Sequence, residues 1–152
     1  MSKLFVFQHL IYAFLLLTVA ESTAQSTQVT WKQLSEVTFK EEYNKEYDFN
    51  VLIPYFSDKI KALDGKVIEV EGYYIPIDEE GYERSIILSA FPNSQCFFCG
   101  LSGPESVLEA RVKKVPENIK LDAKIKVRGK LRLNARDLSR LNYILEDAVM
   151  LK

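Results

Sequence analysis

Histidine, the commonest catalytic base, occurs once in this chain, at His9. It lies inside a segment that reads as a removable leader, so the expected mature protein has no imidazole. Without it, serine hydrolases of the usual kind lack their base, and neither Ser-x-x-Lys nor Gly-x-Ser-x-Gly occurs. Glycine is scarce, at six residues, and forms no phosphate-cradling loop. Neither sign of charge prevails, with 20 basic against 21 acidic side chains, which excludes a basic footprint for nucleic acid. The grouped carboxylates Asp78, Glu79 and Glu80 fall in an expected turn, where a solvated loop tip explains them better than acid–base work.

One long apolar run is present. Lys3 precedes an unbroken stretch from Leu10 to Leu17, continued by Val19 and Ala20, and Ser22-Thr23-Ala24 supplies the small residues a signal peptidase reads. The run is shorter than the roughly 20 apolar residues of a membrane span and is followed at once by polar sequence. Residues 1–24 are therefore expected to be a signal peptide cleaved after Ala24. Export, to a periplasmic address, follows, with no membrane span after cleavage. No cysteine stands just past the cleavage point to carry a lipid. Residues 25–29 read as a polar leader and 30–152 as one domain.

Within that domain, Thr30-Trp31-Lys32-Gln33 has the form of a capping box and predicts a short helix to about Val37. Trp31 and Leu34, three apart, both face the core on that reading. Phe39, Tyr43 and Tyr47 recur every four residues and predict a second helix. Phe49–Ile53 favours a strand that Pro54 should stop, at an edge. Ser57–Leu63 reads as one or two helical turns capped by Ser57 and ended by Asp64-Gly65. From Val67 onward the pattern turns to period two. Strands are predicted over 66–77, 84–90, 107–112, 124–133 and 143–151, the first and fourth interrupted by Gly72 and Gly129 where a bend is needed. Residues 134–142 read as a polar loop with a turn of helix. Five short strands, two of them kinked by glycine, predict a mainly β protein: a small five-stranded OB-fold-like barrel with short N-terminal helices.

Both cysteines lie in one loop between two of these strands, Ser89 to Ser106, which also holds two glycines and two prolines. Cys96 and Cys99 are spaced for three chemistries. An exported pair meets an oxidising compartment and can close a local disulfide. As thiolates the two can hold zinc, with Asp, Glu, water or a second copy of the chain completing four ligands, Glu105 being the nearest carboxylate in sequence. As a dithiol the pair can cycle in a thiol–disulfide redox enzyme, but Gly100, Gly103 and Pro104 deny it the helix whose N-terminus lowers a thiol pKa. Disulfide stands first among these, zinc second, redox catalysis third. Phe97 and Phe98 between the sulfurs cannot both point inward from a tight turn, which makes one of them a candidate contact for a partner.

Leu63-Asp64-Gly65-Lys66-Val67, Gly72-Tyr73-Tyr74-Ile75-Pro76, Ser94-Gln95-Cys96-Phe97-Phe98-Cys99-Gly100, Gly103-Pro104-Glu105-Ser106-Val107 and Leu133-Asn134 together resemble an exported bacterial family classed as a domain of unknown function. The resemblance runs from about Trp31 to Ala148 and implies a non-cytoplasmic address and an OB-like core. It carries no activity with it. In a related branch the cysteine slot reads Cys-x-His before a run of prolines. Cys96 matches that cysteine and Phe98 replaces the histidine, so a metal role carried over rests on Cys96 alone. The expected function is a non-enzymatic binding or structural module of the cell envelope, its partner an envelope protein or a second copy. The alternative is the thiol–disulfide enzyme.

Overall fold

The computed structural model describes residues 26–151; the expected signal peptide lies outside them. Helix α1, Trp31–Leu34, forms where the capping box predicts it. Gln33 N–H donates to Thr30 Oγ1 at 3.3 Å and Thr30 N–H to Gln33 Oε1 at 2.8 Å, which satisfies two amides a helix start leaves open. It ends three residues earlier than expected, because Val37 is already paired in a strand.

That strand corrects the helix predicted over Phe39–Tyr47. Strand β2, Val37–Asn44, pairs antiparallel with β3, Phe49–Phe56, in a continuous eight-pair ribbon. Asn44 Oδ1 accepts from the amides of Glu46 and Tyr47 at 2.9 and 3.2 Å, and Asp48 takes a left-handed φ of 58°, so the chain reverses within four residues. Cross-strand pairing thus overrides the four-residue aromatic spacing. Pro54 does not stop β3 either. In a two-stranded ribbon every strand is an edge, and a missing N–H is tolerated there.

Helix α2, Asp58–Lys61, is capped by Ser57, whose Oγ accepts from Ile60 N–H at 3.3 Å. The barrel follows: β4 Val67–Ile75, β5 Ser85–Ser89, β6 Val107–Val112, β7 Lys124–Leu133 and β8 Tyr143–Leu151. Hydrogen bonding runs β4-β5-β6-β8-β7 and returns to β4, which closes the barrel. Within the barrel the β6–β8 pair is parallel and the other four are antiparallel. This is the expected five-stranded OB-like barrel. A short strand β1, Thr27–Gln28, adds to β4 in parallel.

Alternation places Ile68, Val70, Ile86, Leu88, Leu108, Ala110, Val127, Leu131 and Leu145 in a common buried core. The two strand glycines sit where the barrel bends. Gly72 precedes the residue at which β4 passes from β7 to β5, Tyr73 being paired with both Lys124 and Ser89. A Cβ there would lie 2.7 Å from the Ser89 carbonyl oxygen and 3.0 Å from the Trp31 ring. Gly129 faces a bulge in β8, where the register slips between Arg128–Val149 and Lys130–Glu146 and Asp147 adopts a φ of 49°. Trp31 is half-buried against the core, and its Nε1–H donates to Glu71 O at 2.8 Å. Tyr143 is fully buried, and its hydroxyl donates to Leu34 O at 2.6 Å, tying α1 to the last strand. Residues 134–142 form turns without the expected helical turn.

Candidate functional site on the outer face of β5 and β6

Residues 85, 87 and 89 of β5 and 107, 109 and 111 of β6 point away from the barrel core. They are paired as Ser85–Arg111, Ile87–Glu109 and Ser89–Val107. Most outward faces of a small barrel meet water, yet Ser85, Ile87, Ser89, Val107 and Glu109 are all buried. Three loops, 76–84, 90–106 and 134–142, contribute the cover. Ile75, Tyr82, Ile87 and Cys96 form a second, smaller core there, with Ile77 and Leu141 packed against it.

The cysteine loop is built of three 3-10 turns, Asn93–Gln95, Phe97–Cys99 and Pro104–Ser106. Cys96 is extended and separates the first two, Gly100 ends the second with a φ of 73°, and Pro104 opens the third. This folding sends one sulfur inward and the other outward. Cys96 is fully buried in the small core, whereas Cys99 is exposed. Their sulfurs lie 4.0 Å apart and both cysteines are free. Cys99 Sγ–H donates to Asn93 O at 2.9 Å, and Cys96 Sγ–H points at Asn93 Oδ1 at 3.9 Å. The Asn93 amide in turn donates to Asp122 Oδ1 at 2.6 Å, which holds the loop to the β6–β7 connection. Desolvation first, then the hydrogen bond and charge of Cys96, push the Cys99 thiol above its ordinary pKa. Carbonyl acceptors and a raised pKa favour the thiol, the opposite of what an attacking sulfur requires.

Phe97 and Phe98 meet edge to face, with centroids 5.5 Å apart, and then diverge. Phe97 is half-buried and lines a groove of about 240 Å³ with Phe39, Leu52 and Pro54 of the ribbon and Leu138 and Leu141 of the 134–142 loop. Phe98 is exposed, beside Ile75, Ile77 and Asn93. Glu105 does not join the cysteines. Its carboxylate folds over Gly103, where a Cβ would collide with it, and it lines a separate recess with Trp31, Lys32 and Phe91. Among the described residues no three His, Cys, Asp or Glu side chains are grouped as a metal would need.

The polar centre of this face is Glu109, which the period-two pattern places simply on the side opposite the core. It is fully buried. Its Oε1 accepts from Ser85 Oγ at 2.9 Å, Arg111 Nε at 2.9 Å and Arg140 Nη1 at 3.2 Å, while its buried Oε2 has no partner among the described residues. Arg140 reaches in from the 134–142 loop, stacks over the Tyr82 ring at 4.6 Å and lies where a Cβ on Gly81 would be 3.0 Å from its Nη2. One guanidinium thus pins two loops to the sheet. Burial, and then the charge of Glu109, raise the Tyr82 pKa.

No protein-family model matches the chain, and no curated protein is matched by it. In fold it is similar to the crystal structure of a DUF3299 family protein from Pseudomonas aeruginosa PAO1, with a TM-score of 0.50 and 13% identity, over 84% of this chain and 97% of that one. At that identity the likeness is one of fold. The fold neighbour belongs to a family of unknown function. Among the described residues no helix is long and apolar enough to cross a membrane.

Proposed function

We propose that the protein is an exported, non-enzymatic binding module of the cell envelope, in which Cys96 and Cys99 close a local disulfide that sets the shape of the loop carrying Phe97 and Phe98. The observation behind this reading is the placement of the sulfurs. One is buried and one exposed, 4.0 Å apart across a 3-10 turn, both facing carbonyl oxygens. Closing the bond would bring the sulfurs from 4.0 Å to roughly 2.05 Å. The groove between Phe97 and the β2–β3 ribbon supplies the apolar surface for a partner protein. The raised thiol pKa speaks against the redox enzyme.

Zinc is the second reading, and the same separation favours it. Two sulfurs on one tetrahedral zinc, each about 2.3 Å from the metal, lie about 3.8 Å apart, and a second copy of the chain would bring the other two. Protein purified from the periplasm, with free thiols and metal measured on one sample, separates the readings. No free thiol and no metal supports the disulfide, and half an equivalent of zinc per chain supports the shared site. Two free thiols without metal, together with disulfide-exchange activity, would return the redox enzyme to first place.

A further inference from the structure

Away from the cysteine loop, at the Ser85–Arg111 end of the β5–β6 face, lies a recess of about 540 Å³. Its walls carry Arg84, Arg111, Lys113 and Arg140, with Glu146 and Asp147 on the β8 side. Two of these cations are fixed from behind. Glu109, fully buried, takes one N–H each from Arg111 and Arg140, and both arginines line the recess. A carboxylate that pins two guanidiniums neutralises only one of them and removes much of their side-chain freedom in advance. Arg84 and Lys113 have no acidic side chain within ion-pair distance among the described residues.

The acidic side has its own meaning. Glu146 is engaged by Arg132 Nε at 2.8 Å, but Asp147 makes no ion pair among the described residues and is held toward the recess in the β8 bulge. An oxyanion alone would be repelled there. A ligand with an oxyanion at one end and hydroxyl donors at the other meets both walls, and the volume suits a monosaccharide-sized body. In OB barrels generally the second and third strands, with the loops after strands one and four, form the ligand face, and this recess lies at the corresponding place.

We propose that the recess bounded by Arg84, Arg111, Lys113, Arg140 and Asp147 binds a small polyhydroxylated oxyanion, a sugar phosphate or sugar acid. The oxyanion sits on the guanidiniums and Lys113, and a hydroxyl donates to Asp147. The site is independent of the cysteine chemistry. Titration calorimetry with glucose 6-phosphate, glucuronate, inorganic phosphate and glucose tests it. Saturable binding of glucose 6-phosphate or glucuronate is expected, with glucose silent and inorganic phosphate weaker. Arg84→Gln and Lys113→Gln, both exposed and outside the Glu109 cluster, should each weaken binding about tenfold with an unchanged unfolding midpoint. Asp147→Asn should erase the preference over inorganic phosphate. The proposal is overturned if neither anionic sugar binds at millimolar concentration, if glucose binds equally well, or if the two substitutions leave affinity unchanged.

Discussion

Replacing Gly129 by valine asks whether the barrel is closed as tightly as its hydrogen bonds imply. A Cβ at 129 would lie 2.9 Å from Glu146 O, 2.9 Å from Leu145 Cβ and 3.2 Å from Ala148 Cα. None of these is the end of a flexible side chain. All belong to β8, which is held between β6 and β7 and cannot retreat without breaking one ladder. Overpacking of this kind typically costs 1–3 kcal/mol, and the two valine methyls place it at about 3. Strand preference returns roughly 1 kcal/mol of that, leaving a net loss of about 2 kcal/mol. For a domain of this size, at around 4 °C per kcal/mol, the melting midpoint should fall by about 8 °C. Thermal and urea unfolding followed by far-UV circular dichroism measure it, and Gly129→Ala should give a smaller loss of the same sign. A Gly129→Val protein that melts with the parent would mean that β7 and β8 are not in contact at the bulge, and the closed-barrel geometry would fall with it.

Changing Cys96 and Cys99 together to serine should lower stability by about 2 kcal/mol or less, because the loop their disulfide closes is so short; a larger loss in urea unfolding would contradict a purely local role. In reduced protein, iodoacetamide should modify Cys99 slowly, given its raised pKa, and Cys96 only on unfolding, as peptide mass mapping would reveal. Tyr143→Phe removes the hydroxyl that donates to Leu34 O and should cost about 1–2 kcal/mol, with faster amide exchange in Trp31–Leu34 as the local sign. Glu69 is held below the usual carboxylate range, chiefly by its hydrogen bond from Ser26, with Gln28, Arg128 and Lys126 adding to the effect against desolvation. Its contribution is therefore present above the unfolded carboxylate pKa and lost as pH falls through the lower folded one. Residues 26–29 should loosen from β4 in acid, and Glu69→Gln should remove that pH dependence of their hydrogen exchange.

The barrel was readable because apolar core positions recur along its strands, although β5 and β6 are buried on both faces. Val107–Val112 and Lys124–Leu133 alternate cleanly enough to fix their limits, Tyr143–Leu151 stands out as a terminal apolar run, and Gly72 and Gly129 marked the bends. The ribbon was not readable. Phe39, Tyr43 and Tyr47 share a helical spacing, yet Tyr43 and Tyr47 are largely exposed, and what decides the conformation is the pairing with Phe49–Phe56, which no local window contains. The cysteine loop announced itself by composition, but the direction of each sulfur depends on a 3-10 turn and on Tyr82 and Ile87 from other segments. Glu109 was concealed by the very alternation that revealed β6. Its position opposite the core reads as solvated, and only Ser85, Arg111 and Arg140, brought together by three separate stretches of chain, turn it into a buried centre.

The parallel pairing of β6 with β8 also governs how the molecule can be assembled. The hairpins β4–β5, β5–β6 and β7–β8 join neighbours along the chain and can form soon after their residues emerge. Closure depends instead on two distant seams, one setting Val67 opposite Lys130 and the other Glu109 opposite Ile144. The β6–β8 seam waits for the last strand, whereas β4 can pair with β7 as soon as Leu133 is made. A nascent chain halted before Tyr143 would expose β6 and β7 as unpaired edges with the apolar core open between them, a species prone to aggregation and proteolysis. The slow event in folding should accordingly be the docking of the β7–β8 hairpin onto a preformed β4–β5–β6 meander.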